Sequence, residues 1–332
     1  MNRSKPQGNI SLKRRPDTFE FRREPFHIIY HTWVDNESDE EFTTLELDDL
    51  NQAQVHNQYR SKYGIPFIDE VKMIRDKYGL SAAKMSEILG LGQNVYRNYE
   101  NGEMPSIATG RLIQLAKDPL EFKRLIELSR NELEPHELDR ISKKVSGTLS
   151  GWDREENIVE ERIFGTKVPN NFNGYRVPVM KKVGMMAKYF ASHLEPFKTK
   201  MNKLLFYADF FNYAKTGYSI TGMTYMAIKH GPVPRNYGSI YDRLSESGYV
   251  EIKEEEFEGF GGERLLCHNG DPDMEIFTSS ELFAIETVTN RLGHLKTADI
   301  IDVSHDELAW QQNIDANGRI SYDYGFVLQH ID

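Results

Sequence analysis

The chain has 332 residues, a length that suits two or three domains rather than one compact core. Its formal net charge is -10, from 41 Lys and Arg against 51 Asp and Glu. Its single cysteine, Cys267, excludes a disulfide framework and any zinc or iron–sulfur site built from several thiolates. The sequence has no apolar run of the roughly 18 residues that a membrane span needs and no secretory signal at its start, so we expect a cytoplasmic protein.

The first part of the chain changes from polar to β-rich. Residues 1–17 are polar and basic without an apolar period, which predicts a flexible N-terminus. From Thr18 the residues become β-branched and aromatic, and FHIIYHTWV and FTTLEL flank the acidic DNESDEE. This pattern predicts a hairpin or small meander in the region 18–65, which ends in a short helix and connector.

Residues 66–145 are predicted to be helical throughout. Val71, Ile74 and Tyr78 follow i, i+3, i+7 spacing, and the spacing resumes with Met85 and Ile88 after a break at Gly79-Leu80-Ser81. A polar stretch rich in asparagine, glycine and proline follows, GTKVPNNFNGYRVP. It indicates an interdomain linker, which we place at residues 146–179.

Residues 180–332 are predicted to form a mainly α-helical domain with a small β wing. Apolar residues at helical spacing mark helices around Phe190, Leu204 and Tyr241, and three more are expected at about 279–292, 297–303 and 304–312. The segment YVEIKEEEFEGFGGERLLCHNG predicts two strands around a Gly-Gly turn. The fold class expected for the whole chain is therefore mainly α with small β elements.

The stretch VKMIRDKYGLSAAKMSEILGLGQNVYRNYENGEMPS, residues 71–106, has the pattern of a helix-turn-helix. Ser81 is a suitable N-cap for the first helix, and Gly90 and Gly92 flank Leu91 at a tight turn. Asn101-Gly102 then ends the second helix. The alternative is an ordinary helical bundle with a polar face.

The second helix of this pair has two faces in the sequence. Val95, Tyr96 and Tyr99 can face the core, which leaves a set of polar residues outside, able to bond base edges: Gln93, Asn94, Arg97 and Asn98. Lys84 is predicted to contact a phosphate. Residues 66–130 hold 10 Lys and Arg against 9 Asp and Glu, so phosphate contacts should be few and DNA affinity salt-sensitive.

This segment resembles the helix-turn-helix of XRE-type regulators, and specifically that of MqsA-like antitoxins. The likeness extends upstream through EEFTTLELDDLNQAQVHNQYRSKYGIPF and downstream through GRLIQLAKDPLEFKRLI, covers about residues 18–130, and implies a five-helix domain at residues 66–145. In that family an asparagine and an arginine of the recognition helix read bases. Asn94 matches the first, and Asn98 stands at the second position with Arg97 beside it.

MqsA-like proteins often carry a four-cysteine zinc site in their N-terminal region. No cysteine precedes Cys267 in this chain, so the thiolate ligands of a structural zinc are missing and we predict no bound metal. The hairpin is then expected to be held by apolar residues, among them Phe26, Ile28, Tyr30 and Trp33.

The segment from Lys203 to Ile252 resembles the Panacea domain, also called the SocA-like or DUF4065 domain. The likeness rests on the aromatic helix LLFYAD, on HGPVP (His230 to Pro234) and on a helix beginning near Tyr237, and it covers about residues 180–320. This family is associated with antitoxins that neutralise protein toxins by direct binding, including toxins similar to alarmone synthetases. Some SocA-like members act as adaptors that deliver a toxin to a protease.

Toxin contacts are expected from aromatic residues, which exceed the needs of one small helical core, and from the HGPVP segment. Within that segment Pro232 and Pro234 force an extended chain, and His230 fits a rigid connector better than a catalytic base. The acidic stretch 251–258 fits a solvated wing or a contact for a basic partner. The candidate toxin-binding residues are Tyr207, Phe210, Phe211, His230, Pro232, Tyr237 and Tyr241.

An enzyme is disfavoured. The sequence lacks G-x-S-x-G, Walker, G-x-G-x-x-G and H-E-x-x-H motifs, so no cofactor and no catalytic residue is predicted. The cluster Asp302, His305, Asp306 and Glu307 is better explained by a capping box from Ser304 to Glu307, a pattern that recurs from Thr278 to Glu281.

The leading hypothesis is an antitoxin that masks a toxin through its C-terminal domain and represses its own genes through the helix-turn-helix. Its partners would be a cognate toxin and operator double-stranded DNA, bound as a homodimer through the central domain, because palindromic operators mirror two-fold symmetry. The alternative is a transcription regulator without a toxin, whose C-terminal domain senses a small ligand.

Overall fold

The computed structural model describes residues 8–150, 154–165, 168–257 and 260–331. The chain divides into two compact units. One, which we call the split unit, joins Met1–Val55 to Glu160–Asp332, and the other, the central unit, is His56–Val159. The N-terminal strands therefore belong to the same compact unit as the C-terminal domain, whereas the sequence predicted a region of their own over residues 18–65.

Three antiparallel strands open the described chain: β1 (Ile10–Phe21), β2 (Glu24–Asp35) and β3 (Glu41–Phe42). β1 and β2 pair along their whole length across a two-residue turn, in which Arg22 and Arg23 both take positive φ angles. The predicted hairpin is confirmed, but its first strand starts at Ile10, inside the stretch predicted to be flexible. Three consecutive basic residues at positions 13–15 hide the alternation of this strand in the sequence, and residues 1–7 lie outside the described part.

Helix α1 (Leu45–Tyr63) covers the edge of β2 that β3 leaves open. The Asn51 amide accepts from the His31 N–H at 2.9 Å and donates to the His31 carbonyl at 3.0 Å, and Gln54 makes the same pair of bonds with Ile29. An open strand edge can pair with other chains, so these two amides take the place of a further strand. Of the residues predicted to hold the hairpin, two are buried and two half-buried: Phe26 and Ile28, and Tyr30 and Trp33.

Helices form the central unit: the rest of α1, then α2 (Ile68–Lys77), α3 (Ala82–Ile88), α4 (Val95–Glu100), α5 (Ile107–Leu115), α6 (Pro119–Leu128) and α7 (Pro135–Ser150). Val71 and Ile74 of α2 and Tyr78, its C-cap, lie in the core of this unit, as their spacing predicted. Ser81 caps α3, because its side chain accepts a hydrogen bond from the Lys84 N–H at 3.2 Å. Residues 66–145, predicted as a five-helix domain, hold α2–α6 and most of a sixth helix, α7, which packs on α6 and places Ile141 and Val145 in the same core.

The predicted linker, residues 146–179, is partly helical. α7 continues to Ser150, and α8 (Arg154–Phe164) follows it. The end of α8 is fastened to the C-terminal domain, because the Asn236 amide donates to the carbonyl of Ile163 at 2.9 Å. The polar residues 168–178 form neither helix nor strand, as their composition predicted.

The C-terminal domain surrounds one long helix, α10. Its helices are α9 (Met180–Leu194), α10 (Lys198–Thr216), α11 (Tyr237–Glu246), α12 (Ser279–Leu292), α13 (Thr297–Asp306) and α14 (Leu308–Gln311), and its strands are β4 (Tyr225–Ile228), β5 (Gly231–Pro234), β6 (Val250–Phe257), β7 (Phe260–Cys267) and β8 (Arg319–Ile320). α10 packs against α9, α12, α13, β5 and a 3-10 helix, Tyr322–Val327. The strands form a three-stranded antiparallel sheet and a separate β6–β7 hairpin. The predicted fold class, mainly α with small β elements, is confirmed.

The β6–β7 hairpin differs from its predicted turn. Phe257 pairs with Phe260, so the strands are connected at residues 258–259, which lie outside the described part, and the Gly-Gly pair lies within β7. A reason for glycine there is close packing, since a Cβ on Gly262 would lie 3.1 Å from the ring of Phe197.

Of the two predicted capping boxes, one is confirmed. Thr278 accepts from the Glu281 N–H, and the Glu281 carboxylate accepts from the Thr278 N–H at 2.8 Å. Ser304 instead lies inside α13, where its hydroxyl donates to the carbonyl of Ile301 at 2.8 Å. The capping prediction for Ser304 is wrong because α13 continues past this residue to Asp306.

The N-terminal hairpin contacts the C-terminal domain through a buried histidine. The His31 ring lies edge-on to Phe326 of the Tyr322–Val327 helix, with 4.7 Å between ring centroids. Burial lowers the pKa of His31 to about 4, and the nearby charge of Arg14 acts in the same direction. The imidazole is therefore neutral in the folded protein near pH 7.

We expect this contact to make the protein acid-sensitive. Between pH 6.5 and pH 4, His31 takes up a proton in the unfolded chain before it does so in the folded protein. The free energy of unfolding therefore falls by about 3 kcal/mol over this range. Replacing His31 with phenylalanine should remove that loss. Urea unfolding at pH 7 and pH 4 measures it, with His294→Phe, a change at an exposed histidine, as control. Equal pH dependence in wild type and His31→Phe would contradict the assignment.

Candidate DNA-binding and partner-binding sites

Buried tyrosines fix the inner face of the helix pair. The Tyr96 hydroxyl donates to the carbonyl of Val71 at 2.8 Å, and the Tyr96 N–H donates to the Ser86 hydroxyl at 3.0 Å, which joins α4 to α2 and α3. Tyr99 is also buried. Because these contacts set the rotation of α4, its opposite face must point outward. The turn before α4 contains Gly90 at a positive φ angle of 64°, as its predicted role requires.

The outer face carries the polar residues that the sequence singled out. All four are exposed: Gln93, Asn94, Arg97 and Asn98. The Asn94 side chain makes no capping bond at the start of α4, and the Arg97 guanidinium has no partner within the described residues. Free amide and guanidinium groups on a helix of this size can make bidentate bonds to adenine and guanine in a major groove.

Lys84 has a different environment from the one predicted. Its ammonium lies 2.9 Å from a carboxylate oxygen of Glu137 on α7 and 2.5 Å from one of Glu87, and its side chain is only 15% exposed. The prediction of a cation free to meet a phosphate is therefore wrong for this conformation. Sequence reasoning missed Glu137 because it lies 53 positions along the chain, with no spacing rule to connect the two residues.

The predicted toxin-binding residues fall into two groups. Five of them are core residues: Tyr207, Phe210, Phe211, Pro232 and Tyr241. No more than 4% of the surface of any of these four aromatic residues is exposed. Only His230 and Tyr237 are exposed. The prediction of a direct toxin contact is thus wrong for the five buried residues in this conformation.

These aromatic residues are buried because α10 is covered on all sides and its polar groups need partners. The Tyr207 hydroxyl donates to the Glu307 carboxylate at 3.1 Å, and the Tyr241 hydroxyl donates to Asn202 at 2.8 Å. Phe210 stacks on Tyr322. Tyrosine suits such a core because its ring fills volume while its hydroxyl satisfies a buried polar group.

One buried carboxylate organises the loop after α10. Asp209 is fully buried and accepts hydrogen bonds from the N–H groups of Ile220 and Thr221 at 2.8 Å, from the Thr221 hydroxyl, and from the Tyr225 hydroxyl at 2.8 Å. Burial raises the pKa of Asp209 to about 6, although the four hydrogen bonds act in the opposite direction. This carboxylate therefore connects α10 to the loop that leads into β4.

The HGPVP segment begins in the exposed turn Lys229–His230 that follows β4 and continues as strand β5. Two side-chain donors hold the backbone on either side of this turn: Trp310 Nε1 donates to the Ile228 carbonyl at 2.8 Å, and Lys203 Nζ donates to the Pro232 carbonyl at 3.1 Å. The tip residues Lys229 and His230 project into solvent.

Glycine is required at position 231 of this turn. Gly231 has a φ of 93°, and a Cβ there would lie 2.3 Å from the Ser304 hydroxyl and 2.6 Å from Lys203 Cε. The predicted role of the segment as a rigid connector follows from these contacts.

The acidic and histidine cluster does not converge on one point. Glu307 is buried and accepts from Tyr207 and from the Gln329 N–H, whereas His305 stacks on Trp310 at 3.8 Å and Asp302 is exposed. Among the described residues, no group of three or more His, Cys, Asp or Glu side chains is placed to hold a metal ion. The described helices include none with the length and apolar character for crossing a membrane.

Residues 201–311 match the family model Antitoxin SocA-like, Panacea domain, and residues 71–117 match the family model Helix-turn-helix. The chain thus contains a SocA-like Panacea domain and a helix-turn-helix, as the two resemblances implied. Comparisons with curated proteins and with solved structures found no match. Residues 18–65 lie outside both family matches, so the likeness of this region to an MqsA-like N-terminal domain stays a prediction.

Proposed function

We propose that this protein is the antitoxin of a toxin–antitoxin pair, which neutralises its toxin by direct binding through the Panacea domain and represses its own operon through the helix-turn-helix. The observation that carries this proposal is the presence of both modules in one chain, with the polar face of α4 exposed. The two tasks fall in different compact units, which favours independent surfaces for DNA and toxin. Such a protein acts in the compartment that holds the DNA.

The predicted toxin partner is tested by co-expressing this protein with the product of the neighbouring gene. We expect that product to stop growth when expressed alone and to be harmless and co-purified when this protein is present. A toxin similar to alarmone synthetases would also raise alarmone levels in the unprotected cell. A harmless neighbour together with intact operator binding would instead favour a ligand-sensing regulator.

We propose that the DNA-binding form is a homodimer through the central unit. Two helix-turn-helix copies related by a two-fold axis read half-sites about one helical turn apart, and the contacts of the second copy raise the affinity. Light scattering of the full chain, alone and with a promoter duplex, measures the stoichiometry. One protein chain per duplex at saturation would contradict this arrangement.

The tip of the HGPVP turn gives a test of the toxin surface. His230 is exposed and its backbone is held rigidly, so its side chain can contact a partner at a small cost in conformational entropy. We expect His230→Ala to weaken the toxin complex about fivefold or more, as for an interface residue worth at least 1 kcal/mol, without changing the thermal unfolding midpoint. His294→Ala, at another exposed histidine of the same unit, is the control. Equal affinity of both variants would exclude this turn from the interface.

A further inference from the structure

Lys84 lies where a helix-turn-helix usually meets the DNA backbone, but two carboxylates already surround it. It is the third residue of α3, the first helix of the pair, which crosses the backbone in this class of domain. One carboxylate, Glu87, is on the same helix, and the other, Glu137, comes from the first turn of α7. The site of one cation therefore carries a net negative charge.

The two carboxylates do not restrain Lys84 equally. An ion pair three residues apart on one helix adds only a few tenths of a kcal/mol, so the bond from Lys84 to Glu87 is readily exchanged for one to a phosphate. Glu137 comes from a separate helix and would remain beside an approaching phosphate as a like charge. The hydrogen bond from Lys84 keeps the pKa of Glu137 below its ordinary value, so this carboxylate is ionised at neutral pH.

We infer that Glu137 lowers the affinity of the helix-turn-helix for DNA by withholding Lys84 from a backbone phosphate. This inference rests on the proposed DNA-binding function and names a residue that sets its strength. The DNA-binding region is nearly neutral, so it makes few phosphate contacts, and the gain or loss of one contact changes the electrostatic affinity by a large fraction. Glu137 should lower the affinity for every duplex equally, because a phosphate contact carries no sequence information.

The test compares Glu137→Gln with wild type on two duplexes, the promoter of its own gene and a duplex of unrelated sequence. The glutamine keeps the size and an acceptor for Lys84 but removes the charge. One added phosphate contact makes the slope of log affinity against log salt concentration steeper by about 0.9. At 0.1 M salt, we therefore expect the affinity for both duplexes to rise about eightfold. Fluorescence anisotropy over a range of salt concentrations measures both quantities.

Two further variants separate release of Lys84 from a general change of charge. Glu134→Gln removes the same charge from an exposed residue of the same segment that has no lysine beside it among the described residues. It should leave the salt slope unchanged. Lys84→Met should abolish the gain that Glu137→Gln gives, because no cation is then available at this position for a phosphate. Circular dichroism melting confirms that each variant folds.

Each other outcome overturns the inference. Equal effects of Glu134→Gln and Glu137→Gln would show that only long-range charge matters. The same gain from Glu137→Gln in the Lys84→Met background would show that the gain does not depend on Lys84. Wild type that binds neither duplex would refute the proposed DNA-binding function itself, whereas binding by wild type with no response to Glu137→Gln refutes only the role of Glu137.

Discussion

Replacing Arg97 with alanine should weaken operator binding by about 5- to 150-fold. Arg97 is exposed on α4 with no partner in the described part of the chain, so its guanidinium is free for bidentate bonds to a guanine edge. A good bidentate contact is worth about 1–3 kcal/mol of discrimination, and its loss also relaxes preference at the base pair that it reads. Fluorescence anisotropy with the promoter duplex and with single-base variants of it measures both effects.

The controls for this variant are available in the same unit. Lys123→Ala removes a positive charge from an exposed residue of α6, outside the helix pair, and should change affinity little. Arg97→Ala should leave the melting temperature and toxin neutralisation unchanged, because the side chain supports no fold contact. Loss of neutralisation by Arg97→Ala would contradict the separation of the two tasks, and equal effects of the two variants would place the DNA elsewhere.

Replacing Asp209 with alanine should destabilise the split unit by at least about 4 kcal/mol. Its carboxylate satisfies two backbone N–H groups and two hydroxyls in the interior, and each buried donor left without an acceptor costs about 1–3 kcal/mol. For a unit of this size the melting midpoint should fall by roughly 10 °C. We expect toxin neutralisation to be lost at growth temperature, because the loop and β4 depend on this residue.

A graded series distinguishes this role from a general sensitivity of the domain. Asp209→Asn keeps one oxygen for the two N–H groups, and the hydroxyls of Thr221 and Tyr225 can rotate to accept from the new amide, so its cost should be intermediate. Asp302→Ala, at an exposed residue of α13, should stay within about 0.5 kcal/mol of wild type. Calorimetric melting measures the series, and an Asp209→Ala midpoint equal to that of Asp302→Ala would refute the role of the buried carboxylate.

The helix-turn-helix was predictable, apart from the environment of Lys84, because its determinants are local. A serine cap, a glycine turn and apolar residues at helical spacing lie within about two dozen positions, and the structure places Ser81, Tyr96 and Arg97 as that pattern required. Helix periodicity alone decides which residues of α4 point inward once Tyr96 and Tyr99 are buried.

Toxin-binding residues were not predictable in the same way. The aromatic residues of α10 suggested a binding surface, but this helix lacks a polar face: even Asn202, Lys203 and Asp209 are buried. Amphipathic periodicity identifies a helix with one solvent-exposed face. It gives no information about a helix that is enclosed by elements from distant parts of the chain. The extended chain after His230 was predictable from Pro232 and Pro234, because a proline ring fixes φ and excludes a helix whatever the surroundings.

The sequence by itself determined the modules, the helix pair with its exposed polar face, and the extended HGPVP segment, because caps, glycines, prolines and apolar spacing act over a few residues. Only the tertiary structure decided that the N-terminal hairpin joins the C-terminal domain, that α10 is a core helix, and that Glu137 pairs with Lys84. These outcomes depend on contacts between residues far apart in the chain, where burial and charge are set by which elements meet.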